Sequence, residues 1–294
     1  MSQPPLYPHR DMTTEPVRTW ASAEAAQIWR KGAARRAATL AVATERMLAG
    51  AAITSGMRVL DVAAGTGDQT LIAARVVGPS GAVLATDISA SMLEAAQEAA
   101  REAGLDNIVT HVVDASALDL PSDSFDAAIC RFGLMFVPDL AAALGHVLRV
   151  LKPGARFAAL VWSTEDKNPY IGLQLKLVRE MDRMPSPPPS LARTVSLSAP
   201  GVLENAFRSA GFADVEVSAV ATPRNFESVE DALSAMRSTS PAQGELGRAM
   251  SESEQQYYAA ELERRLHEYL QPDGRCNLPG EALLAVGTRG SAEK

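Results

Sequence analysis

The sequence predicts an α/β fold built on a doubly wound sheet, and three observations predict it. Short apolar runs alternate with helix-like runs from residue 58 to residue 161. The first run, Val59-Leu60-Asp61-Val62, feeds a tight turn of small residues, Ala63-Ala64-Gly65-Thr66-Gly67, and then a helix. Acids close the first three strands in turn, at Asp61, Asp87 and Asp114. Open α/β sheets bind ligands outside the carboxyl ends of their strands, so these acids are candidate ligand contacts.

Composition narrows the class. The 294 residues are 47% hydrophobic, enough for a sizeable core, and no apolar run approaches the ~18 residues of a membrane span. A net charge of −7 argues against a nucleic-acid partner, which calls for a basic face. Arg30-Lys31 and Arg35-Arg36 read as a solvated helix face. Cys130 and Cys276 match neither a disulfide framework nor a metal-ligand spacing, so no metal is expected and a reducing cytoplasm fits. Residues 1–19, Pro-containing and polar with no apolar segment, read as a flexible lead-in and not a secretory signal.

The turn decides which ligand to expect. Gly65 and Gly67 allow φ > 0 and let ligand atoms approach the main chain. The dinucleotide fingerprint G-x-G-x-x-G fails at Thr70, and no G-x-x-x-x-G-K-[ST] loop occurs. Asp61 before the turn and Asp68 just after it suit a cationic amino-acid group and would repel a pyrophosphate. That combination points to S-adenosylmethionine.

Val59-Leu60-Asp61-Val62-Ala63-Ala64-Gly65-Thr66-Gly67-Asp68-Gln69-Thr70 resembles motif I of class I S-adenosylmethionine-dependent methyltransferases, in the small-molecule branch similar to the ubiquinone/menaquinone C-methyltransferases. The family pattern is D-x-G-x-G-x-G, and Ala63 stands at its first glycine. The resemblance covers about Gly56 to Val161 and implies a seven-stranded Rossmann-like sheet whose last strand is antiparallel. It implies cofactor contacts at Asp61, Ala63, Gly65 and Gly67 from the first unit. Asp87 would take the ribose hydroxyls, with Ile88 and Met92 beside the adenine. Asp114 and Ala115 match the family's D-A motif, where the carboxylate takes the adenine amino group.

Taken in order, residues 20–55 hold one or two helices rich in alanine, from Trp20 to Gly50, without proline. In the resembled family this segment is a helical cap over the cofactor. Residues 56–166 form the cofactor-binding core. Strand Arg58–Val62 is followed by helix Gln69–Val77, strand Ala82–Thr86, helix Ser91–Ala103 capped by Ser89, and strand Asn107–Val113. His111 in that strand reads as structural. Strand Ala127–Cys130 leads to Arg131-Phe132-Gly133, where small-molecule members place backbone against the methionine part of the cofactor. Arg131 is thus a cofactor-side candidate; its side chain could instead pair with Asp126 or hold an anionic substrate. Helix Leu140–Leu151 and the turn Leu151-Lys152-Pro153-Gly154, which resembles the family's L-K-P-G-G-x, lead into strand Phe157–Val161.

Residues 167–198 comprise a helix from Tyr170 to Met181 and the Pro-rich loop Met184–Ser190, part of a substrate lid. Residues 199–294 add helix Ala199–Ala210, strand Val215–Ala221, a lid insertion at about 225–270 with helices Ser228–Arg237 and Gly244–Leu270, and strand Glu281–Thr288. Candidate substrate contacts are Trp29, Phe132, Met135, Tyr170 and Tyr257. Tyr257 and Tyr258 point about 100° apart on a helix, so at most one faces the pocket.

These readings imply methyl transfer to an oxygen, carbon or nitrogen of a small apolar or aromatic metabolite, with a homodimer left open as the assembly. No general base stands out. Two alternatives remain: the same cofactor serving a non-methylating cyclisation, or a binding protein without catalysis.

Overall fold

The computed structural model describes residues 20–181, 187–238 and 241–291. The lead-in 1–19 and residues 184–186 of the Pro-rich loop lie outside them. Seven strands form one sheet: β1 Arg58–Val62, β2 Ala82–Asp87, β3 Ile108–Val112, β4 Phe125–Arg131, β5 Leu151–Trp162, β6 Phe212–Ala221 and the last strand Glu281–Arg289. Their spatial order is β3-β2-β1-β4-β5, then the last strand, then β6. The first five are mutually parallel, and the last runs antiparallel to both neighbours. The order reverses between β1 and β4, which opens a crevice at their carboxyl ends.

Each side of the sheet carries its own core. Leu60, Val62, Phe125 and Phe157 pack with Leu144 and Phe207 on one face. Val59, Ile129 and Leu160 pack on the other with Ala43 and Met47 from the helix Ala33–Gly50. Central strands buried on both faces read as near-continuous apolar runs, as in Val59-Leu60 and Ala127-Ala128-Ile129.

Turn chemistry sets the helix starts. Gly67 adopts φ 81° and opens the helix Asp68–Val77; a Cβ there would lie 2.8 Å from that of Ala96, so glycine is required on both counts. Ser89 accepts from Met92 N at the start of the helix Ala90–Glu102, and Asp139 accepts from Ala142 N before Leu140–Val150.

Several boundaries depart from expectation. Leu151–Gly154 is not a turn preceding β5 but its first residues, with a register shift against β4 between Phe125 and Ala127. The helix expected from Ala199 runs only Val202–Ser209, because Gly201 at φ 78° begins it. Helix Gly244–Leu270 is interrupted: Pro241–Arg248 is separate from Glu252–Leu266, which Ser251 and Glu254 start with a reciprocal capping box. Two short strands, β7 Arg224–Phe226 and β8 Cys276–Leu278, pair antiparallel as a second small sheet that periodicity did not indicate. Among the described residues no helix is long and apolar enough to cross a membrane.

Candidate active site

A large cavity opens at the carboxyl ends of β1, β2 and β4. Its first wall is the turn Ala63-Ala64-Gly65 with Asp87, Ile88, Met92, Val113, Asp114 and Ala115. Gly65 N donates to Asp87 Oδ2 and Ser89 N to Oδ1, both at 2.9 Å, which fixes the carboxylate plane while leaving further acceptor capacity. Burial raises the Asp87 pKa above the usual carboxylate value, and those backbone donors oppose the shift. Asp114 Oδ1 accepts from Ser116 N at 2.8 Å and Ser116 Oγ at 2.6 Å. Met92 is buried against Ala25, Ala26, Trp20 and Trp29, which come from Trp20 and the helix Ala23–Lys31.

The second wall is aromatic. Phe132 stacks on Trp162 with centroids 4.0 Å apart, and Tyr170 lies parallel to Phe226 at 6.1 Å. Arg224 sits over both Trp162 and Tyr170, 5.0 and 4.2 Å from their centroids. Arg35 covers Phe226 and is held bidentately by Asp231. Met135, Ile171 and Gln174 complete the apolar side.

The structure therefore brings Ala63, Gly65, Asp87, Ile88, Met92, Asp114, Ala115, Arg131, Trp29, Phe132, Met135 and Tyr170 to one cavity, and leaves Asp61, Gly67 and Tyr257 out of it. Asp61 is 0% exposed. Thr70 Oγ1 donates to its Oδ2 at 2.6 Å and Gln69 Nε2 to its Oδ1 at 3.1 Å, so it braces the turn from behind and does not line the cavity. Burial pushes its pKa up to about 7 against those two hydrogen bonds. Gly67 packs against Ala96 instead of facing a ligand. Tyr257 points outward at 58% exposure, while Tyr258 is 7% exposed and donates to Gln174 Oε1 at 3.4 Å.

Two readings of arginines are corrected. Arg131 does not pair with Asp126, which Lys152 and Arg58 N hold. It donates to Asp68 Oδ2 at 3.1 Å and Thr44 Oγ1 at 3.0 Å. Arg36 is no solvated residue: at 9% exposure it shares Asp68, bonds the Trp29 carbonyl and lies 3.9 Å from the centroid of the Trp29 ring. Burial lowers its pKa to about 10 despite Asp68. Asp68 thus ties the helix Ala33–Gly50 to the β1 turn and β4. Arg36, Trp162, Arg224, Phe226 and Gln174 are cavity residues that sequence reasoning missed. Arg36 was legible only as one of a basic pair.

The wall fits S-adenosylmethionine at the nucleoside end, with a fixed carboxylate at Asp87, a second at Asp114 and apolar side chains between them. Two buried polar atoms on the cavity residues, Trp20 Nε1 and Gln243 Oε1, have no partner among the described residues. No described group of three His, Cys, Asp or Glu could hold a metal ion.

Comparison with known proteins agrees with this fold. Residues 53–194 match a family described as "Methyltransferase domain". The ubiquinone/menaquinone biosynthesis C-methyltransferase of Pasteurella multocida (strain Pm70) is 45% identical over 112 residues, 38% of this chain and 42% of that protein. The match thus spans less than half of the relative's length. Among solved structures, the YcgJ protein of Bacillus subtilis gives a TM-score of 0.57 at 20% identity, covering 85% of this chain and 98% of the other. Phosphoethanolamine N-methyltransferase 2 of Haemonchus contortus in complex with S-adenosyl-L-methionine gives 0.58 at 16%, covering 96% and 61%. At those identities the likeness is one of fold.

Proposed function

We propose that this chain, whose residues 53–194 match a family described as a methyltransferase domain, binds S-adenosylmethionine and transfers its methyl group to a small apolar or aromatic acceptor. The observation that carries this reading is one cavity with two unlike walls, the first of fixed carboxylates and small residues, the second of stacked rings, meeting at Ala63 and Gly133. When bound, the cofactor supplies a sulfonium-activated methyl group to a nucleophile placed in line with the breaking sulfur–carbon bond.

Each residue's part follows from its position. Asp87 would accept the ribose hydroxyls, Asp114 the adenine amino group, and Ile88, Met92 and Ala115 would enclose the base. The Ala63 and Gly65 main chain would lie against the methionine portion. Phe132, Met135, Trp162 and Tyr170 would form the acceptor floor and exclude water. The described histidines, His111, His146 and His267, are absent from the cavity wall, and the carboxylates that line it sit at the nucleoside end. The acceptor is therefore one that is already nucleophilic, and rate comes from alignment and desolvation; holding two reactants in register is worth on the order of 7–11 kcal/mol.

In this reading residues 20–55 are the cap and the insertion at about 225–270 is the lid, since both contribute cavity residues, Trp29 and Arg36 from the first and Phe226 and Gln243 from the second. The free thiols Cys130 and Cys276 suit a reducing cytoplasm. The acidic net charge favours a metabolite over a nucleic acid, and a homodimer is the assembly we would test first. Calorimetric titration with S-adenosylmethionine and, separately, NADH tests the cofactor, and transfer of label from a methyl-labelled donor to a phenolic and quinone-like panel tests the reaction. Binding of NADH and not of S-adenosylmethionine would overturn the assignment.

A further inference from the structure

The second wall holds a cation, Arg224, that has no counter-charge among the described residues. Among the described residues, four arginines line the cavity. Arg36 and Arg131 share Asp68, with Asp61 close enough to Arg131 to act on it, and Arg35 is held by Asp231. Arg224 has neither an acid nor a side-chain hydrogen bond among the described residues. Its guanidinium meets the faces of Trp162 and Tyr170 instead. Burial depresses its pKa, and no carboxylate offsets the effect.

Ring faces attract a guanidinium but do not neutralise it. Arg224 is part-buried and opens on the cavity, so an anion seated there would gain charge-assisted hydrogen bonds that ring faces do not supply. The protein itself supplies an acid to each of the other three cavity arginines. Among the described residues no acid does the same for Arg224, which leaves that place to a ligand.

We propose that the acceptor is a flat, conjugated or aromatic monocarboxylic acid whose carboxylate seats on Arg224, while its unsaturated body lies along Trp162, Phe132 and Phe226. This rests on the methyltransferase reading for the word acceptor, but the anion site stands on Arg224 alone. A guanidinium set over ring faces keeps N–H donors to offer, and its fork takes a carboxylate through two parallel hydrogen bonds. The charge count selects among anions. One uncompensated cation balances a monoanion; a phosphate dianion would leave charge unpaired in an apolar wall. The stacked rings select a planar body over a branched aliphatic one. The same seat explains how an acceptor is oriented without a general base, since an ion pair at one end fixes the other end relative to the Ala63–Gly133 junction.

The test is calorimetric titration of the full chain, with and without S-adenosylhomocysteine, using cinnamate and 2-naphthoate against cinnamamide and 2-naphthamide. The expected result is that the acids bind at least tenfold more tightly than their amides. Arg224→Gln should erase that preference, and Arg224→Lys should retain part of it. S-adenosylhomocysteine affinity should stay within twofold in both variants, which also reports that they are folded. Equal binding of acid and amide to the parent protein, no binding of either acid, or a preference that survives Arg224→Gln would each overturn the proposal. An acid preference abolished in Arg224→Gln, with no affinity for S-adenosylhomocysteine in the parent protein and far-UV circular dichroism unchanged in the variant, would uphold the anion site and sink the cofactor reading instead.

Discussion

Ala63 and Gly133 are a matched pair: a Cβ placed on residue 133 would lie 2.4 Å from the Cβ of Ala63 and 3.0 Å from Cys130 Sγ. Ala63 holds φ 53° where the resembled motif has glycine, so the chain keeps the left-handed turn and makes room for the extra methyl on the facing loop. Gly133→Ala should therefore destabilise the fold by about 1–3 kcal/mol through overpacking and weaken S-adenosylmethionine binding. Ala63→Gly should be nearly neutral, because relief of roughly 1–2 kcal/mol of left-handed strain is offset by glycine's backbone entropy. The double variant should recover part of the stability, and a double-mutant cycle by urea unfolding measures it. Strict additivity would show that the two positions do not share this space.

Asp87 sits in the cavity wall with its carboxylate held by Gly65 N and Ser89 N. Asp87→Ala should weaken S-adenosylmethionine binding by about 1.5–3 kcal/mol for each charge-assisted hydrogen bond to the ribose that it removes. Calorimetry on the variant gives the number, and an affinity equal to that of the parent protein removes Asp87 from the site.

Asp61 makes stability depend on pH. Its carboxyl is raised from 3.8 to about 7 in the folded chain, so the fold binds this proton more tightly than the unfolded chain does. Its contribution is present in full below about pH 4 and is lost as pH rises through about 7. Asp61→Asn should remove that slope whatever it does to absolute stability. Urea midpoints measured from pH 4.5 to 8 would run parallel for the two proteins if Asp61 ionised normally.

Adjacent tyrosines on the helix Glu252–Leu266 should behave oppositely. Tyr258→Ala empties a buried site and should cost about 3–5 kcal/mol, the range for large aromatic truncations. Tyr257→Ala, on the exposed side, should stay within about 0.5 kcal/mol and leave acceptor binding unchanged. Comparable losses of stability at the two positions in denaturant unfolding would contradict the orientation of this helix.

Residue order was enough to specify the sheet, its strand alternation, the β1 turn and most of the nucleoside wall. Those features are written in local physics: period-two and period-3.6 burial, a glycine at most positions where φ turns positive, a serine or aspartate at a helix start. Asp87 and Asp114 could be placed because each lies at or just past the carboxyl end of its strand, and a strand end has one address in a doubly wound sheet. Asp61 shared that address, yet its carboxylate turned inward because Gln69 and Thr70, in the first turn of the next helix, reached it first. The charge pairings belong to the folded chain alone. Asp68 gathers Arg36 and Arg131 from 32 and 63 positions away, Asp231 meets Arg35 across 196, and Arg224 meets ring faces and no acid among the described residues. No spacing rule encodes such pairings, since a long flexible side chain takes whichever partner the folded backbone brings within reach, and only the assembled cavity reveals which cation is left without one.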